Sequence, residues 1–148
     1  MPFYFRQVVD FASTVSFIHE LSDGRFRFGI GVSHEPALKA RGISSGKPLE
    51  DTRKFVAELR SKPRVGELPP IILAALRKKM INLSEEIAEG MVFANGARSH
   101  MKESLQAISE KARNSADFFI GDMIPVCIND DIKLAKAVNR KTLTSYAY

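Results

Sequence analysis

Three histidines, one cysteine and the carboxylate pairs Glu50-Asp51 and Asp130-Asp131 are the groups in this 148-residue sequence most suited to chemistry. A metal site needs several ligands at short spacing, such as two histidines four apart on a helix. His19, His34 and His100 fall on different predicted elements, and neither His19-Glu20 nor His34-Glu35 has a second histidine at that offset. His19 alternates with apolar neighbours and reads as an interior or edge residue. Cys127 lies between Val126 and Ile128. A reactive thiol needs an exposed, electropositive setting, so this one reads as a small buried hydrophobe. A single cysteine excludes an internal disulfide and a cysteine-based metal cluster. Glu50-Asp51 and Asp130-Asp131 stand where helices should start, and capping accounts for both. The stretch from Gly42 to Pro48 is not a phosphate loop: three residues separate its glycines instead of four, and Pro48 replaces the magnesium-binding hydroxyl. No Ser/His/Asp arrangement emerges from spacing. The residues therefore predict no catalytic group, no cofactor and no metal, and a chain that is not an enzyme.

Charge offers more. The chain carries a formal net charge of +5. Lys39, Arg41, Lys47, Arg53, Lys54, Arg60, Lys62 and Arg64 lie between Pro36 and Val65, against only Glu50, Asp51 and Glu58. This one segment accounts for the whole surplus. It is rich in Gly, Ser and Pro, so it predicts an extended basic connection that meets an acidic protein face or phosphate. Lys133, Lys136, Arg140 and Lys141 form a second basic group, three of them on one helix face. Only Phe55 is aromatic in the first segment, which gives little support to base stacking.

The elements that must position these groups follow from periodicity. Val15, Phe17, His19 and Leu21 alternate, as do Phe26, Phe28, Ile30 and Val32, with Ser22-Asp23-Gly24 between them. This predicts an antiparallel hairpin with one apolar face. Gly29 and Gly31 leave the other face bare for a close backbone approach. Phe3 to Phe11 fits a strand or a helix, and the strand is favoured. Ser33, Pro36 and Gly42 frame a short helix, and a second runs from about Glu50 to Arg60. Leu73, Leu76, Met80, Leu83 and Ile87 make one helical stripe, and Met101, Leu105, Ile108, Ala112 and Phe119 make another. These predict a long antiparallel helix pair after Pro69-Pro70. A last helix spans Ile132 to about Arg140, and Thr142 to Tyr148 reads as an arm or strand. No apolar run reaches the roughly 20 residues of a membrane helix.

Two stretches resemble a known family. Pro36-Ala-Leu-Lys39 followed by Gly42-Ile-Ser-Ser-Gly-Lys-Pro-Leu-Glu-Asp-Thr52 is similar to the Lys-Pro-Leu-x-Asp-Thr-Gly stretch of small neck and tail-completion proteins of tailed bacteriophages. Leu68-Pro-Pro-Ile-Ile-Leu-Ala-Ala-Leu76 resembles their Pro-rich entry into a C-terminal helix. The resemblance implies a ring-forming virion component without enzymatic activity.

The sequence thus predicts an α+β fold: an N-terminal antiparallel β-hairpin unit packed on a long helix pair, with short helices and an extended basic segment. One domain is expected, divided into a β unit (1–33), a basic loop with short helices (34–68), the helix pair (69–120) and a C-terminal helix and arm (121–148). The expected function is a structural, self-associating assembly protein, in a virion or the cytoplasm, whose partners are copies of itself and other structural proteins. A nucleic-acid-binding module using the basic segment and a small-molecule binder or enzyme are the rival readings.

Overall fold

The computed structural model describes residues 2–44, 46–94 and 96–144. Its centre is a four-stranded sheet of β1 (Phe28–Ile30), β2 (Ile71–Ala74), β3 (Gly90–Ala94) and β4 (Phe119–Met123). Neighbours follow the order β1-β2-β3-β4, and every pairing is parallel. Around it lie α1 (Val8–Leu21), α2 (Glu35–Lys39), α3 (Pro48–Ser61), α4 (Lys78–Ile87), α5 (Arg98–Gln106), α6 (Glu110–Arg113) and α7 (Ile132–Thr144). This is an α/β arrangement, and it replaces the expected antiparallel hairpin on a helix pair.

The hairpin fails because its first arm is a helix. Phe11, Val15 and Ile18 recur at four and three on α1, and Phe11 and Val15 are buried. Asp23 and Gly24 do adopt positive φ, 53° and 70°. They use it to end α1, where Gly24 N–H donates to the His19 carbonyl at 3.0 Å. A hairpin turn and a helix end ask the same backbone of the same residues. Phe3 to Phe11, favoured as a strand, is a 3-10 turn (Phe3–Phe5) followed by the start of α1. Just before that turn, Pro2 forms an isolated parallel bridge to Gly31, one residue past β1.

The helix pair fails for a related reason. Ile71, Ile72 and Leu73 are all buried, because helices cover one face of β2 and neighbouring residues the other. Strands buried on both faces read as continuous apolar runs without a period of two. The predicted stripe from Leu73 to Ile87 therefore spans a strand, a turn and a helix. The second predicted stripe likewise runs across α5, α6 and β4. The helix expected over Glu50–Arg60 is present within α3, and the one from Ile132 extends to Thr144. Of the expected arm, Thr142–Thr144 belong to α7, and 145–148 lie outside the described residues.

One face of the sheet carries Phe28, Ile30, Ile71, Leu73, Met91 and Phe93. They pack on Phe11, Ala12 and Val15 of α1, on Phe55, Val56 and Leu59 of α3, and on Ile81, Leu83 and Ile108. Phe55 joins three elements: its ring stacks on Phe3 at 4.9 Å and meets Phe11 edge-on at 5.6 Å. The register places Gly29, Ile72, Gly90 and Phe119 in one row of the opposite face, with Ala74, Val92 and Gly121 in the next. That face is lined mainly by small residues and no helix covers it. Successive strands are neighbours in the sheet, and the helices that form the core lie on one face of it.

Candidate functional site

In a parallel sheet of this order the C-terminal strand ends share one rim, and the following loops and helix N-termini converge there. The rim here is built from Gly31 to His34 after β1, Leu76 and Arg77 after β2, Gly96 after β3 and Ile124 after β4. Ser33 holds φ 69°, an uncommon conformation for a side chain other than glycine. Such backbone strain gathers at functional positions.

The N-terminal turn is tied to this rim. Pro2 pairs with Gly31, and Phe3 N–H donates to the Gly31 carbonyl at 3.2 Å. Next to it, the Tyr4 hydroxyl donates to Asp51 Oδ2 at 2.7 Å. Burial pushes the Tyr4 hydroxyl up to about 12, and the Asp51 carboxylate adds to the rise. Tyr4 therefore stays protonated at neutral pH and acts as a fixed donor. Gly46 leaves room for Asp51, whose Oδ2 would collide with any Cβ there. The Arg41 guanidinium lies 5.1 Å from the centre of the Phe5 ring. Across the rim, Gly96 N–H donates to Asp122 Oδ1 at 3.1 Å and links β3 to β4.

Helices α4 and α5 point their N-termini at the rim without a side-chain cap. Arg77, Lys78, Lys79 and Arg98 stand at those starts. Their positive charge adds to the positive helix ends, a balance that an anionic ligand group would relieve.

At the other end of the bare face, the Arg27 guanidinium lies 5.1 Å from the centre of the Phe119 ring. The ring folds over Gly121, where a Cβ would sit 2.8 Å from it. Ile72, in the middle of this face, is buried.

The predicted basic residues do not form one patch. Lys39, Arg41 and Lys47 lie toward the rim, whereas Arg60, Lys62 and Arg64 lie at the far end of α3. Five of the eight pair within the chain: Lys39 with Glu35 at 2.8 Å, Lys47 with Glu50 at 3.1 Å, Arg53 with Glu86 at 2.5 Å, Arg60 with Glu89 at 2.6 Å and Lys62 with Glu58 at 2.7 Å. Lys54 and Arg64 are exposed. Lys133, Lys136, Arg140 and Lys141 are exposed on α7.

The histidines stay apart. His19 ends α1 with its Nδ1 buried and without a hydrogen-bond partner, His34 precedes α2, and the Nδ1 of His100 on α5 lies 3.0 Å from Ser99 Oγ. No group of three or more potential metal ligands occurs among the described residues. Cys127 is half-buried between exposed Val126 and Ile128, not enclosed as expected. Asp131 caps α7, accepting from Lys133 and Leu134 N–H. Sequence reasoning missed Tyr4, Arg27, Arg77 and Phe119. The one signal for the bare face was the pair Gly29 and Gly31.

No protein-family model matches the chain. It is similar to 5,10-methylenetetrahydromethanopterin reductase of Methanolobus tindarius, with 25% identity over 130 residues. The similarity covers 74% of this chain and 39% of that relative, so the chain spans well under half of the protein it matches. This finding overturns the phage resemblance. It equally corrects the expected virion assembly role and the reading of the chain as non-enzymatic, because the protein it resembles is a reductase. Among the described residues, no helix is long and apolar enough to cross a membrane.

Proposed function

We propose that this chain forms one wall of a (β/α)-type reductase domain, and that a small reduced-pterin ligand binds over the C-terminal ends of β1 to β4. The observation that carries this reading is the strand order: four parallel strands in sequence, helices on one face, and all C-terminal ends on one rim. The partial similarity to a methylenetetrahydromethanopterin reductase supports the ligand class.

In this reading the bare face receives the flat ring system. Gly31 and Ala74 make room beside it; their side-chain positions lie so close that a Cβ on Gly31 would meet the Ala74 methyl at 3.0 Å. Arg77 and Arg98 hold anionic groups on the ligand's tail. Tyr4 and Asp51 are positioning residues that fix the loop before α3. Reducing a methylene bridge adds a hydride at carbon and a proton at the released nitrogen. A hydride-donating coenzyme must supply the former, and this wall binds and orients the acceptor.

The test is calorimetric titration of the 148-residue chain with tetrahydromethanopterin, beside Ala74→Phe. That substitution fills the bare face and leaves the helix-side core alone. Saturable binding by the wild type, lost in A74F at unchanged circular dichroism, is the expected result. No saturable binding by the wild type, or equal binding by A74F, overturns the reading.

A further inference from the structure

The two edges of the sheet carry complementary surfaces. At the β4 edge, the chain leaves Met123 and exposes Ile124 (72%), Val126 (78%) and Ile128 (99%). It then enters α7, which buries no residue. At 3.6 residues per turn, Ile132, Leu134, Val138 and Leu143 share one broad arc of α7, and Lys133, Lys136 and Arg140 fill the arc opposite. An amphipathic helix with its apolar arc in water lacks the packing that normally holds such helices.

At the β1 edge there is an apolar groove of about 260 Å³ between α1 and β1. Phe11, Val15, Ile18, Phe26 and Phe28 line it, with Arg6 and Arg27. Beside it, α1 turns Asp10, Phe17, Glu20 and Leu21 to solvent. α1 contains no lysine or arginine, and α7 contains no aspartate or glutamate. One edge thus offers an apolar groove that also holds Arg6 and Arg27, with Asp10 and Glu20 on its α1 border, and the other an apolar helix whose basic residues can meet that α1 border. In the strand order these edges are the two ends of the sheet.

We infer that a second copy of this chain covers these surfaces. A two-fold axis parallel to the strands sets α7 of each copy beside α1 of the other, in two equivalent contacts that close the assembly. The bare faces then look toward each other, and the two rims lie at the same end. Opposite charge orients the encounter, and the apolar arc in the groove supplies lasting affinity. The dimer does not depend on which ligand the rim takes.

The experiment is sedimentation equilibrium of the full chain at low and high salt. The wild type should have twice the chain mass of 16.5 kDa and should dissociate more readily as salt rises. Leu134→Asp with Val138→Asp should weaken the dimer at least tenfold at unchanged circular dichroism, since both positions are exposed. Lys133→Glu with Lys136→Glu should weaken it as well, and adding Asp10→Lys and Glu20→Lys to that chain should restore it. A wild type that stays monomeric at its highest soluble concentration overturns the inference. So does a dimer indifferent to L134D/V138D, or a monomer whose α7 cosediments with anionic lipid vesicles. A wild type that is monomeric yet binds tetrahydromethanopterin would remove this inference alone.

Discussion

The guanidinium of Arg27, just before β1, lies 5.1 Å from the centre of the Phe119 ring on β4. A residue beside the first strand thus touches the fourth across the bare face, over Ile72 and Gly90. Both side chains are exposed, so the cation–π contact should contribute about 0.5–1 kcal/mol. A double-mutant cycle of Arg27→Met and Phe119→Leu, followed by urea unfolding, should show coupling of that size. Additive losses would mean that the two side chains only happen to be close.

Tyr4 predicts an alkaline limit to stability. Its folded-state hydroxyl is raised from the ordinary 10.0 to about 12. Raised ionisation favours the protonated folded form, so this stabilisation is complete below pH 10 and is lost as pH climbs from 10 to 12. One of the three tyrosines should ionise late when absorbance is followed at alkaline pH. Tyr4→Phe should remove that late step and flatten the alkaline fall in stability. A wild type in which all three tyrosines ionise together near pH 10 would contradict the Tyr4–Asp51 bond.

Phe55 is the joint between the N-terminal turn, α1 and α3. It is 6% exposed and touches the rings of both Phe3 and Phe11. Phe55→Ala should cost about 3–5 kcal/mol in denaturant unfolding. It should also loosen Tyr4, one residue beyond Phe3, so that Tyr4 ionises nearer to pH 10. A loss under 1 kcal/mol would place the aromatic cluster outside the cooperative core.

Where element boundaries could be seen in the sequence depended on what ended each element. Lys47-Pro48 and Lys62-Pro63 bracket α3, and proline makes the same demand whatever the fold. Asp23-Gly24 could be located but not interpreted, since positive φ serves a hairpin and a helix end alike. The run Ile71–Ala74 carried no period because both its faces are covered, and that covering comes from other elements, from Phe11 and Val15 on α1 to Leu59 on α3 and Leu83 on α4. The rim and the bare face had even less signal. Tyr4 meets Asp51 across 47 residues, and Arg27 meets Phe119 across a still longer separation, so no local spacing announces either pair. The basic segment was plain as composition, yet its lysines and arginines end on Glu58, Glu86 and Glu89 as readily as on any partner.

The glycines of the bare face divide sharply in what they tolerate. A Cβ on Gly90 would sit 2.5 Å from the Phe119 carbonyl oxygen and 2.9 Å from its nitrogen, both backbone atoms of the adjoining strand. Neither atom can swing aside, so β3 and β4 would have to part. Gly90→Ala should therefore cost about 1–3 kcal/mol. Gly29, on the same row two strands away, meets nothing within 4 Å. Gly29→Ala should be neutral, or stabilising by about 0.4–1 kcal/mol through the less flexible unfolded chain. Thermal unfolding of the two variants side by side checks the register of the whole face. Equal losses at both positions would be incompatible with Gly90 lying against Phe119 while Gly29 faces open space.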